Sequence, residues 1–344
     1  MFQRKIIAAF LIVFSVLLSS FAFYFYQILN TPNILVDKDD AYLAIPSGSS
    51  FRDVQNLLYE GGYVRDAVSF SFLARLKDYD RLVKPGLYRL KADMTNNAAI
   101  NLLRSGTQTP TNVTFNNVRI LGDLPEKITQ NIELTSSQFE EILYDTTLMK
   151  SFGFDSINYV GMFIPNTYEV YWTITAEELL QRMYEEYQRF WNRERSALAD
   201  SIGYSPKEIT TLASIVQSET TKIDEAGRVA GVYINRLNRG YPLQADPTLI
   251  FAHQDFTIKR VLNRHKDIDS PFNTYRYKGL PPGPIRMPNG RYIDAVLNYE
   301  KHRYLYFCAK EDFSGYHEFA TNLIDHNRNA RRYQRALNQA RIYR

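Results

Sequence analysis

Cysteine is almost missing from this chain: Cys308 is the only one in 344 residues. An intrachain disulfide is therefore excluded, and with it a disulfide-stapled scaffold, although export from the cytoplasm is not. Histidine is also scarce, at five residues. The spacing of His317 and His326 and the isolation of Cys308 fit no usual zinc pattern. No stretch reads as a phosphate-binding loop, a dinucleotide fingerprint or a nucleophile elbow, so neither metal nor cofactor is expected. Charge of one sign is also modest. A formal net charge of +4 suits a polyanionic or membrane-adjacent partner and does not call for nucleic acid. Finally, no second long apolar run follows the first, which limits the chain to a single membrane pass.

The run that is present lies at the N-terminus. Arg4 and Lys5 precede an uncharged stretch from Ile6 to Leu29, and about 20 apolar residues cross a bilayer as a helix. Basic residues on the short side predict a cytoplasmic N-terminus, and Phe23 to Tyr26 supply an aromatic belt at the far interface. Ser20 and Ala22 form a small-x-small pattern that a signal peptidase could cut. The apolar residues continue past it to Leu29, so an uncleaved anchor over residues 1–30 is expected, with the rest of the chain exported.

Beyond the anchor the chain is long enough for two domains with cores of their own. Residues 31–40 read as a linker. From 41 to about 150 the pattern is a small mixed α/β unit. Tyr42–Ile45 is a short strand, Val54, Leu57 and Leu58 recur at helical spacing, and "KPGLYRL" (84–90) is a turn and strand. "MTNNAAINLLRSG" is a helix stopped by Gly106. A related strand, turn and helix start returns at "NVTFNNVRILGDLPEKI", as in a degenerate repeat. A larger domain is expected over 151–344. Its helices open on the capping boxes Thr175/Glu178 and Ser205/Glu208, the second with Pro206 at the first helical position. "DEAGRVAGVYINRLNRG" is a third helix stopped by Gly240, and a basic amphipathic helix closes the chain. The fold class is α+β.

One carboxylate stands out. In "ASIVQSET" (213–220), Ile209, Leu212, Ala213, Ile215 and Val216 form an apolar arc at about 100° per residue, and Glu219 falls inside it. Gln217 lies off the arc and cannot donate a proton. A carboxyl among apolar neighbours has its charged form disfavoured, which raises its pKa and suits it to general acid work near neutral pH. Taken by itself, an end-of-helix Glu paired with Lys222 or Arg228 is the commoner reading of this residue. "LQADPT" places Gln244 and Asp246 before a proline turn. "SPFNTYRYKGLPPGPIRMP" sets Asn273, Thr274 and Tyr275 in a loop stiffened by proline and glycine, as a ligand-shaping wall requires. "HEFATNLIDHN" carries His317, His326 and Asn327.

With these stretches in view, the chain resembles the endolytic murein transglycosylases, the MltG or YceG-like family. "GMFIPNTYEV", "LASIVQSET", "VYINRL", "LQADPT", "SPFNTYRYKGLPPGPI" and "HEFATNLIDHN" match successive motifs of its catalytic domain in order. "KPGLYRL" and the helix ending at Gly106 resemble its LysM-like module, which would make 41–150 a glycan-binding region and 151–344 the catalytic domain. Two positions differ. Asn166 stands where the family usually has Asp, and Gln217 stands where it often has an acid.

The resemblance implies endolytic cleavage of the β-1,4 bond between N-acetylmuramic acid and N-acetylglucosamine in peptidoglycan, with 1,6-anhydro ends and no cofactor. It implies Glu219 as the catalytic acid. Gln244, Asp246, Asn273, Thr274, Tyr275, His317 and Asn327 become substrate-binding candidates. It also implies a single-pass location in the bacterial inner membrane, with the catalytic domain outside the cytoplasm, and a role in ending nascent strands beside penicillin-binding proteins and the cell-wall synthesis complexes. A hydrolytic muramidase using Glu219 with Asp246, and a noncatalytic glycan-binding scaffold, are the competing readings.

Overall fold

The computed structural model describes residues 2–36, 40–116 and 118–341. Residues 37–39 of the expected linker, Met1 of the expected anchor, Asn117 of the expected repeat and 342–344 of the expected C-terminal helix lie outside the described residues. The chain is mixed α+β and separates into two compact units: 1–113 with 130–134 and 168–175, and 114–129 with 135–167 and 176–344.

Helix α1 (Phe2–Asn30) carries the long apolar run. Its side chains are almost all exposed as far as Tyr26, and Ile28 is buried. The rest of the first unit is built on β1 (Ala41–Ile45), α2 (Phe51–Glu60), α3 (Ala67–Leu76), β2 (Gly86–Leu90) and α4 (Asn96–Ser105). β1 and β2 pair antiparallel, with Leu43 opposite Tyr88. Alternation along these strands turns Leu43, Ile45, Tyr88 and Leu90 into one core with Val54, Leu58, Phe70 and Leu103. Gly106 ends α4 at φ +74, a left-handed conformation that a side chain would strain. Asn33 and Asn96 are buried and satisfy each other through a 2.7 Å hydrogen bond.

Next come β3 (Thr111–Phe115), α5 (Leu124–Ile128), α6 (Ser136–Leu143), α7 (Thr146–Ser151) and β4 (Asn166–Val170). β3 and β4 form a two-stranded sheet. The second unit then continues with α8 (Ala176–Phe190), α9 (Arg193–Ile202), α10 (Pro206–Glu219) and α11 (Ile223–Asn238). It ends with α12 (Asp246–His253), α13 (Gly290–Leu297), the antiparallel pair β5 (Tyr306–Ala309) and β6 (His317–Ala320), and α14 (Leu323–Gln339).

Its centre is α10. The Ser205 hydroxyl accepts from the backbone of Glu208 while the Glu208 carboxylate accepts from that of Ser205, and Pro206 opens the helix, as the sequence predicts. The burial goes further than the predicted arc, because every residue from Ile209 to Val216 is buried. A helix enclosed on all sides must satisfy its polar side chains internally. Thr210 and Thr211 donate to the carbonyls of Pro206 and Lys207 at 2.8 and 2.9 Å. Ser214 donates to Thr211 O and accepts from the backbone of Ile285 at 3.0 Å, which ties the proline-rich loop to the helix.

Glycine sets the approach of the chain to α11. A Cβ at Gly231 would stand 2.4 Å from the carbonyl oxygen of Glu300. Asn235 on the same helix donates to the carbonyls of His302 and Tyr304 at 2.9 and 3.0 Å. These contacts hold the segment that leads into β5, and so they place Tyr306 and Phe307.

Candidate active site

Glu219 is the last residue of α10, and Tyr233 lies on α11 after a sharp turn at 220–222. The Tyr233 hydroxyl donates to Glu219 Oε1 at 2.7 Å. Tyr233 itself is buried and packs edge-on against Phe307, with ring centroids 5.8 Å apart. Glu219 is half-buried and borders a cavity of about 320 Å³. Loss of solvent pushes its pKa up to about 7, the Tyr233 hydrogen bond opposes the rise, and the nearby Asp246 charge adds to it. A carboxyl with that value is present in both protonation states near neutral pH, as a group that first gives and then takes a proton must be.

The opposite side of the cavity rests on Arg236, one helical turn after Tyr233. Its guanidinium donates to the carbonyls of Pro242 and Leu305 and, at 2.5 Å, to Gln244 Oε1. Gln244 adopts φ +52, and its backbone N–H donates to Thr274 O at 3.0 Å. Asp246 begins α12 and accepts from the Tyr275 hydroxyl at 2.5 Å. Leu243, Tyr306, Phe307, Leu323 and His326 complete the lining. The His326 ring stacks on Tyr306 at 5.3 Å, and its Nδ1 is buried without a partner among the described residues. Burial, reinforced by Arg236, holds its pKa below the usual histidine value.

The sequence model of the YceG-like family matches residues 43–332. The chain belongs to the YceG-like family. Curated relatives named endolytic murein transglycosylase, from two strains of Streptococcus pneumoniae, are 29% identical over 351 residues. That match takes in 92% of this chain, which spans only 63% of their length. A Bacillus subtilis protein of the same name is 29% identical over 326 residues, with 88% of each chain covered. The crystal structure of a YceG-like protein from Listeria monocytogenes is similar at a TM-score of 0.57 and 25% identity, over 85% of this chain and 99% of that one.

Within this YceG-like chain, Glu219, Gln244, Asp246 and Tyr275 come together around one cavity. Asn273 and Thr274 are buried in the loop that supports it. The Asn273 amide donates to the carbonyls of Lys266 and Ile268 and accepts from the backbone of Tyr275 and Arg276. Thr274 Oγ1 accepts from Ala245 N and shares a hydrogen bond with Thr248. Gln217 accepts from the backbone of Asn289 at 2.7 Å and so holds the far end of the loop. His317 is engaged by Glu225: the Glu225 carboxylate accepts from His317 N at 2.8 Å and lies 2.7 Å from Nδ1. Asn327 and Asn166 are exposed and do not line the cavity.

Sequence reasoning missed Tyr233, Arg236, Tyr306, Phe307, Leu323 and His326 as lining residues. The signal available was Arg236, a cation one helical turn beyond Tyr233 on a face that is otherwise apolar.

Proposed function

We propose that this chain is a single-pass, membrane-anchored lytic transglycosylase. It cuts the β-1,4 bond between N-acetylmuramic acid and N-acetylglucosamine within peptidoglycan strands and leaves 1,6-anhydro-N-acetylmuramic acid ends. The observation that carries this reading is the Glu219 carboxyl, raised to about 7 and hydrogen-bonded by Tyr233 in a cavity, in a chain whose relatives bear that name.

In this mechanism protonated Glu219 gives its proton to the leaving glycosidic oxygen as positive charge develops at C1. The resulting carboxylate then takes the proton of the sugar's own C6 hydroxyl, whose oxygen closes the anhydro ring. This is the acid-then-base sequence of a retaining glycosidase with an internal nucleophile in place of water. One carboxyl suffices because the attacking group is held in the same sugar. Gln244, Asp246 and Tyr275 contact the sugars. Asn273 and Thr274 act by shaping their loop, and His317 acts through Glu225 and the turn at Thr220. Asn327, at the exposed start of α14, reaches only a strand that extends beyond the cavity.

Helix α1, about 43 Å long at 1.5 Å per residue, exceeds the hydrocarbon core of a bilayer. Its most apolar window has a mean hydropathy of 2.6. As the anchor, it confines cutting to glycan near the inner membrane, with the LysM-like region over 41–150 holding the strand. Ending nascent strands beside penicillin-binding proteins is the role that fits such a placement.

Asp246 borders the same cavity as Glu219, which gives the hydrolytic reading its second carboxylate. Digestion of glycan strands in ¹⁸O water separates the two. Anhydro ends without solvent oxygen are expected, and labelled reducing ends would establish hydrolysis. Glu219→Gln should lower turnover by about 10²-fold or more while strand binding persists. An active variant would overturn the assignment.

A further inference from the structure

Beside the catalytic cavity lies a larger one, of about 840 Å³, in the same unit. Asp246 lines both, so the two cavities adjoin at that residue. The larger cavity is cationic. Lys259, Arg260 and Lys310 border it, and Asp246, whose Oδ1 is occupied by Tyr275, is its only carboxylate among the described residues. The Lys259 and Lys310 ammonium groups form no salt bridge with a described carboxylate. The neighbouring Asp312 accepts from Ser314 N and Oγ and feels the Lys310 charge without forming an ion pair with it.

The remaining lining residues are not those of a bare anion site. Phe313 is 47% exposed at φ +55, a backbone conformation costly for a bulky residue. It meets Tyr333 edge-on at 6.1 Å. Gln334 and Asn338, one turn apart on α14, are joined by a 3.2 Å hydrogen bond from Gln334 Nε2 to Asn338 Oδ1, and the Gln334 carbonyl and the Asn338 NH2 supply the remaining acceptor and donor of that wall. Cations, apolar rings and carboxamides in one groove together match an acidic peptide, whose carboxylates, side chains and backbone amides each find a counterpart.

We propose that this groove binds the acidic peptide stem carried by the N-acetylmuramic acid of the strand being cut, and that it sets which sugar of the strand enters the catalytic cavity. The inference rests on the proposed function for the identity of the strand. The stem leaves the strand at the muramic residue, beside the scissile bond, and Asp246 marks where the two cavities meet. Charge in the groove then discriminates between stem-bearing and bare glycan, whereas the sugar contacts do not.

The test compares strands that carry stems with the same strands after an amidase has removed them. Binding of the full chain in detergent is measured in the Glu219→Gln background, so the readout does not depend on turnover. Stem-bearing strands should bind more tightly, and the preference should shrink with added salt because Lys259 is exposed and Lys310 half-buried. Lys259→Glu with Lys310→Glu should reduce the preference by about 3- to 10-fold, the scale of two solvent-accessible ion pairs, and leave binding of bare strands unchanged. Lys259→Gln with Lys310→Gln should give a smaller loss in the same direction and guards against misfolding of the charge-reversed protein. Equal binding of the two strands, or an equal loss on both in either variant, would overturn the proposal. A retained preference without any cleavage by the wild-type chain would refute the proposed function and leave the groove assignment standing.

Discussion

Replacing Glu219 by Gln should make the protein more stable at alkaline pH. The carboxyl has an ordinary value of 4.5 and a folded value of about 7. Because the folded value is raised, the folded state holds the proton more tightly than the unfolded chain. The stabilisation this provides is complete below pH 4.5 and is lost as the pH climbs through 7. The interval corresponds to about 3 kcal/mol at 1.36 kcal/mol per pH unit. Gln retains an acceptor for the Tyr233 hydroxyl and carries no charge at any pH, so it escapes that loss. The variant and the wild type should therefore differ by about 3 kcal/mol more at about pH 8.5 than at about pH 4. Urea unfolding at a series of pH values reads this directly, provided that the slope m is the same for both proteins. Titrating groups that do not interact with Glu219 contribute equally to the two curves and cancel. A difference that does not change over that pH range would refute the raised pKa, and with it the argument that Glu219 is poised to donate.

Three other outcomes rest on the same contacts. Tyr233→Phe removes the hydrogen bond that holds the Glu219 pKa down, so the alkaline limb of kcat/KM should move above about 7 while stability falls by about 1 kcal/mol. Asp246→Asn removes the charge that helps to raise it; the limb should move to lower pH, with a smaller loss of turnover than Glu219→Gln causes. Gly231→Ala drives a methyl group to within 2.4 Å of the Glu300 carbonyl, and urea unfolding should register a loss of about 1–3 kcal/mol from overpacking.

The parts of this site legible in the sequence are those set by neighbours along the chain. The start of α10, its apolar arc, the stop of α4 at Gly106 and the position of Glu219 all rest on contacts within a few residues, where periodicity and capping chemistry decide. Contacts between distant segments were not legible. Gln217 reads as an amide off the packing face, yet it meets the backbone 72 residues away at Asn289. His317 reads as a candidate sugar ligand, and its partner Glu225 lies 92 residues earlier. Asn273 reads the same way, but its amide is engaged within its own loop. A polar side chain in a tight proline-rich loop can hydrogen-bond a ligand or the loop, and residue type does not distinguish the two.

The place of the acid at the end of a buried helix has a physical reason. The last turn of a helix presents carbonyl groups without intrahelical partners and a partial negative charge. A carboxylate there is disfavoured in the same sense as by burial, so the helix end and the cavity act together on Glu219. Placed at the start of α10, the same residue would meet the positive end of the dipole and ionise more readily; Glu208 stands at that end and caps the backbone of Ser205. The two glutamates of α10 thus divide the work by position. One fixes where the helix begins, and the other stands at its end with its pKa raised. Tyr233, reached because the chain turns at 220–222 and runs back as α11, donates to that carboxyl and opposes the rise in its pKa.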